Sequence, residues 1–190
     1  MSPDSAFHLP ESPVAVIGTI TLLVAFLVNG YALIAGVAGH RRGRPGLVAS
    51  SLWASWAFSA LMCLASALMI YAFVSHDYTI KYVAHYSDTS MPLFYKLTAY
   101  WGGLDGSIMF WVWMLSMFSA AALFVNRKRH PEMIGYVVAT IAAVATFFLA
   151  VILWNKNPFS TFLTTPPVDG KGLNPLLQTC LLYTSPSPRD

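Results

Sequence analysis

Charge is what this chain has least of. Only 10% of its 190 residues are Asp, Glu, Lys or Arg, against about 25% in an ordinary soluble domain. Cysteine is nearly absent. Cys63 and Cys180 are the only two, and no CxxC or CxxCH occurs, which excludes a zinc ribbon, a vicinal redox pair and a covalent haem-attachment site. Cys63 falls in an apolar stretch, where a free thiol behaves as a small hydrophobe. Ionisable residues are missing from the middle of every long apolar run. All five histidines (His8, His40, His76, His85 and His130) fall in loops or at helix ends. A proton relay or ion pump built from these runs alone is thereby disfavoured, and so is a haem held inside the bundle by axial histidines. The basic residues sit in short loops rather than on a folded polar face, so no nucleic-acid partner is expected. Residues 1–13 contain Asp4 and Glu11 but no Lys or Arg. A cleavable signal needs a basic leading region, so the first apolar run reads as a retained span.

What is present, in place of charge, is length of apolar sequence. No charged residue occurs between Glu11 and Arg41, between Arg44 and Asp77, between Asp105 and Arg127, or between Glu132 and Lys156. Each gap exceeds the roughly 20 residues that cross a bilayer core of about 30 Å. The reading is an all-α, polytopic integral membrane protein with spans at about 13–38, 47–75, 107–125 and 133–154. Pro13 suits a helix start. Asn29, the strongly polar side chain of the first span, should face another helix rather than lipid. The second span is rich in Ala and Ser, which permit close helix approach, and Trp53 and Trp56 near its start fit an interfacial belt.

Between spans two and three, residues 76–106 form a polar and aromatic loop with Tyr78, Tyr82, Tyr86, Tyr95, Tyr100 and Trp101. Within 91–101, Leu93, Leu97, Tyr100 and Trp101 recur at helical spacing, which predicts a short amphipathic helix on the membrane surface. Gly102 and Gly103 break it, and Asp105 or Ser107 can cap the next helix. Residues 155–190 are polar and rich in Pro and Gly, with little regular structure expected.

Six of the eleven Lys and Arg lie in loops 39–46 and 126–132, which share one side of an up-down bundle. The positive-inside rule places them in the cytoplasm. Residues 1–12, the 76–106 loop and the 155–178 loop then face the periplasm. His76 and His85 could hold a metal or haem, though exposed loop histidines explain them more simply. The tyrosines and Trp101 could line a groove for a flat cofactor, or simply form an interfacial belt. Lys81 and Lys96 could pair with carboxylates, or be solvated loop charges. On residue types and spacing alone, no reaction is specified.

Three segments carry a resemblance. Residues 91–111 read MPLFYKLTAYWGGLDGSIMFW, residues 86–90 read YSDTS, and NPF at 157–159 is followed by PPVDGKGLNPLLQ at 166–178. They resemble, in order and spacing, the LPxxYKxxAxWGGxEGSxLLW, YSNxx and NPF…PxDGxGLNPLLQ segments of the cytochrome c-type biogenesis family CcmF/CycK, with NrfE a close relative. The resemblance spans about residues 14–178 and implies an N-terminal fragment of a much longer protein. It implies a subunit of a cytochrome c haem lyase in the bacterial inner membrane, delivering haem on the periplasmic face for attachment to apocytochrome c. The implied partners are a haem chaperone, other maturation proteins, apocytochrome c and the lipid bilayer. The motif positions it marks are Tyr95, Lys96, Trp101, Gly102, Gly103, Asp105, Gly106 and Ser107, then Asn174, Pro175 and Gln178, with structural rather than catalytic roles.

Two departures accompany it. Where the family commonly has Gly-Gly-His-Glu-Gly-Ser, this chain has Leu104 and Asp105, keeping the carboxylate and losing the histidine. After residue 178 the family continues into a segment resembling DPGLIFHPPLLY, with an outer-face haem-ligating histidine, and later a WxxWD domain. Here residues 179–190 read TCLLYTSPSPRD, expected to be a non-native tail, so haem ligands are expected beyond this chain. Two other readings stay open: a transporter or haem-export subunit, and a scaffold piece with no activity of its own.

Overall fold

The computed structural model describes residues 12–162 and 166–173, and the structural statements below concern those residues. Six helices follow in order: α1 (Pro13–Arg41), α2 (Pro45–Val74), α3 (Lys81–Tyr86), α4 (Leu93–Ala99), α5 (Leu104–Asn126) and α6 (Pro131–Asn155). α1, α2, α5 and α6 are long and apolar enough to cross a bilayer. The protein is an all-α polytopic membrane protein, and β-pairing among the described residues is confined to an isolated antiparallel bridge between Ile80 and Thr161.

Helix starts follow local chemistry. α1, α2 and α6 each begin on a proline, whose missing N–H is no loss in the first turn. Ser12 caps α1 by accepting from the Ala15 N–H at 3.4 Å. α5 begins at Leu104, earlier than the expected 107, and its cap is Gly103 with no side-chain cap bond. Neither Asp105 nor Ser107 is the cap: Asp105 is the second helical residue, and the Ser107 hydroxyl instead donates to the Trp101 carbonyl at 2.6 Å. α2 ends in a left-handed residue, His76 (φ 57°), and the Asp77 N–H returns to the Ala72 carbonyl at 3.0 Å. That is the Schellman pattern, with histidine where glycine is usual.

α1 packs against both α2 and α6, while α5 packs against α2 and α6. Asn29 is buried, at 2% exposure, and its amide donates to the Ala142 carbonyl and the Thr146 hydroxyl of α6, both at 2.9 Å. The expected helix-facing orientation of Asn29 is what the fold uses. Gly36 and Gly135 let α1 and α6 close in; a Cβ on Gly36 would stand 2.9 Å from the Gly135 carbonyl oxygen. The Ser59 hydroxyl of α2 donates to the Ser116 carbonyl of α5 at 2.9 Å. Cys63, half-buried between the same helices, accepts from the Trp113 indole N–H at 3.3 Å.

The bundle has two chemically distinct ends. Arg127 lies over the Trp56 and Phe124 rings, and the His40 ring packs tilted against Tyr136 with centroids 3.8 Å apart, so the loops carrying 41–44 and 127–129 share one end. The other end holds the aromatic loop and residues 156–162 and 166–173. There Ser12 bonds to Asp77, and Phe159 is buried against Gly18. Between the ends, Ile34, Trp53, Trp111, Phe118 and Phe147 project outward, as lipid-facing or helix-facing residues of a membrane protein do.

Candidate functional site

The motif segment folds at the aromatic end, and its glycines explain its shape. The Tyr82 ring of α3 is inserted beneath the 99–106 turn. Its hydroxyl accepts from the Gly103 N–H at 3.0 Å and lies 3.0 Å from the Tyr100 carbonyl and 3.3 Å from those of Ala99 and Gly103. A single phenolic proton is thus shared among three carbonyls, while one N–H is satisfied. A Cβ on Gly106 would lie 2.0 Å from the Tyr100 oxygen and 2.4 Å from the Tyr82 hydroxyl. A Cβ on Gly103 would lie 2.3 Å from the Tyr86 ring, and one on Gly102 would lie 2.8 Å from Leu173. The three glycines are a socket for Tyr82, Tyr86 and Leu173.

Tyr100 leaves the face predicted for it. It is buried, bonds the Ser66 hydroxyl of α2 at 2.8 Å and packs on Phe110 and Trp113. Burial pushes the phenols of Tyr82 and Tyr100 well above the usual tyrosine range. Both are therefore neutral hydrogen-bonding struts at physiological pH.

α4 has an unusual polarity. Leu93, Phe94, Leu97 and Trp101 point outward, Trp101 at 51% exposure, while the charged Lys96 points in at 8%. The Lys96 ammonium stands 3.1 Å from His76 Nε2, and His76 Nδ1 stands 3.1 Å from the Tyr78 hydroxyl. An ammonium only donates, so Nε2 accepts and Nδ1 carries the proton toward Tyr78. Tyr78 reaches the Thr89 hydroxyl at 3.5 Å, and Thr89 donates to Asp169 Oδ1 at 2.7 Å through its hydroxyl and at 3.0 Å through its N–H. A lysine and an aspartate 73 positions apart in sequence are thereby joined through three side chains, His76, Tyr78 and Thr89. The Thr89 hydroxyl first, and the Gly170 N–H next, hold the Asp169 carboxyl below the usual carboxylate range. Burial is the main reason the Tyr78 phenol is raised.

Residues 166–173 form a strap over this end. The Lys171 N–H donates to the Ala84 carbonyl at 2.8 Å and the Gly172 N–H to the Ser87 carbonyl at 3.1 Å. Leu173 is buried. Gly172 has φ 78°, a left-handed turn suited to glycine.

Of the motif residues marked from sequence, the structure brings Lys96, Gly102, Gly103, Gly106 and Ser107 into this assembly. Tyr95 is half-buried beside Phe94, and Asp105 lies half-buried in the first turn of α5, where its charge suits the helix N-terminus. Trp101 faces outward. Asn174, Pro175 and Gln178 lie outside the described residues. His76, Tyr82 and Tyr86 were named from sequence for other roles, and Asp169, Gly170 and Leu173 only as part of a motif; nothing in the sequence grouped them. The Asp-Gly pair inside a Pro-rich run was the available signal for the strap.

His76 has both ring nitrogens engaged, and His85 stacks on Phe162 with Nδ1 2.6 Å from the Lys81 carbonyl. Among the described residues no three His, Cys, Asp or Glu gather as metal ligands.

No protein-family model matches the chain. Curated proteins do. The chain is 35% identical over 84% of its length to the cytochrome c-type biogenesis protein CcmF of Escherichia coli, and 29% identical over 91% to CcmF of Haemophilus influenzae. It is 32% identical over 94% to NrfE of Haemophilus influenzae. It spans about a quarter of these relatives' own length, 24% to 27%. A solved cytochrome c haem lyase, CcmF, superposes over 85% of this chain and 27% of that one with TM-score 0.72 at 20% identity, which shows a shared helical fold. Relatives at 32% to 35% identity, matched across most of this chain, place it in the CcmF/CycK/NrfE family of cytochrome c-type biogenesis proteins.

Proposed function

We propose that this chain is part of a cytochrome c maturation subunit in the bacterial inner membrane. It serves there as the platform on which a haem lyase system handles haem at the periplasmic face. The haem is cargo, received from a haem chaperone and passed, with other maturation proteins, to apocytochrome c for thioether attachment. The aromatic end is periplasmic and the six-cation end cytoplasmic, as the positive-inside rule directs. Helix α4 lies at the membrane surface with Leu93, Phe94, Leu97 and Trp101 outward, and its one charge turned inward is what supports that placement.

The observation that carries this reading is the glycine socket. The motif shared with the family is the segment whose backbone Tyr82 and Tyr86 clamp, and it presents Trp101 and α4 as an apolar shelf. The segment positions; it does not ligate, and no catalytic step is assigned to this chain. In the full-length protein containing it, Trp101→Ala with Asp105→Ala is expected to lower holocytochrome c accumulation, read by haem staining at equal subunit abundance. Unchanged maturation would sink the assignment. The haem-export alternative loses its one intramembrane amide, because Asn29 is committed to α6. Titrating haem into the chain in detergent tests this reading and the scaffold alternative together: a spectrum of defined axial ligation counts against a purely positioning role in either.

A further inference from the structure

The six-cation end carries a feature the maturation reading does not use. Loops 39–46 and 126–132 carry Arg41, Arg42, Arg44, Arg127, Lys128 and Arg129 against a single acidic residue, Glu132. Glu132 pairs with His130 at 3.6 Å, and among the described residues none of the six cations has an ion-pair partner. Beside them are two open clefts that share Ile134. One, of about 270 Å³, runs between Val48 and Leu52 of α2 and the α5–α6 turn, with Arg127 at its rim. The other, of about 210 Å³, lies between Leu123 of α5 and Val137 of α6, with Asn126 and His130 at its rim. The Arg127 guanidinium sits 4.5 Å from the Phe124 ring centroid and 5.4 Å from that of Trp56. Those rings hold it at the mouth of the first cleft.

We propose that this end binds one anionic phospholipid of the phosphatidylglycerol class. Its phosphodiester lies against Arg127, and its two acyl chains occupy the two clefts on either side of Ile134. Charge complementarity and apolar shape select this occupant together. A zwitterionic lipid would fill the clefts but leave the excess positive charge uncompensated, and a soluble anion would meet the charge but leave the clefts empty. Basic pockets between membrane helices, at the level of an aromatic belt, are where anionic headgroups bind.

The test uses the full chain in phosphatidylcholine vesicles. Phosphatidylglycerol or phosphatidylcholine brominated on its acyl chains is added at rising mole fraction, and the fluorescence lost in a Trp56→Phe variant isolates the Trp56 signal. Brominated phosphatidylglycerol is expected to quench Trp56 at a mole fraction lower than brominated phosphatidylcholine by about fivefold or more, the scale of one cation at a membrane surface. Arg127→Gln should erase most of that preference, and Arg42→Gln on the other loop should keep it. Equal quenching by the two lipids would overturn the proposal without recourse to any variant. So would reversal by inorganic phosphate at constant ionic strength, or an equal loss from Arg127→Gln and Arg42→Gln, which marks a diffuse surface potential.

Discussion

Gly106 leaves almost no room for change. A methyl there meets the Tyr100 carbonyl at 2.0 Å, and backbone cannot swing aside as a flexible side chain can. Gly106→Ala is expected to destabilise by about 1–3 kcal/mol, the range of overpacking in a tight core. Gly30→Ala meets nothing within 4 Å and should be near neutral. Thermal unfolding of both variants in detergent checks the contrast. His76 is the second exacting position, because it combines a left-handed backbone with an acceptor for Lys96. Ala tolerates neither demand, whereas Asn tolerates the backbone and offers an amide oxygen. Accordingly His76→Ala should lower the unfolding midpoint more than His76→Asn; the reverse order would mean the Lys96 contact and the helix end contribute nothing. The glycines were legible in the sequence as a break between helices. Their reason was not, since Tyr82 lies 24 positions before Gly106 and nothing local announces that the two touch.

At the scale of elements, α4 and the strap show how far periodicity reaches. Leu93, Leu97 and Trp101 were readable as one face, and they share it. Tyr100 was assigned to that face by helical spacing, yet it turns inward because Ser66 and Trp113 of neighbouring helices offer it a polar partner and a ring. Lys96 reads as a solvated charge until His76 is brought beneath it. The strap gives a pH prediction. Asp169 has a folded-state pKa below its ordinary value, so its contribution is present above the ordinary carboxylate range and is lost as pH falls through the lowered value. Hydrogen exchange of residues 166–173, corrected for intrinsic rate, should stay flat down through about pH 4 and rise only below it. Asp169→Asn should raise exchange there at neutral pH; protection equal to wild type would show that Thr89 is not the strap's anchor.

For the whole molecule, Asn29 measures how the four spans are tied. Asn29→Leu removes two hydrogen bonds to α6 and should weaken the bundle by about 1 kcal/mol, the usual worth of an interhelical bond in a membrane. Denaturation in mixed micelles reads this directly. A tag at residue 42 is expected to be unreachable from outside intact cells; labelling there by an impermeant reagent would invert the proposed topology. Four apolar stretches, their approximate ends and the separation of cations from aromatics were determined by the sequence by itself. Bilayer thickness and the expense of burying charge act on composition and length, whatever the helices touch. The tertiary structure alone decided which glycine meets which tyrosine, that Lys96 faces inward, and that residues 166–173 close over the end of α3, Thr89 and the Gly102 turn. Those are contacts between residues far apart in the chain, and their energy depends on shape and hydrogen-bond partners that no local pattern encodes.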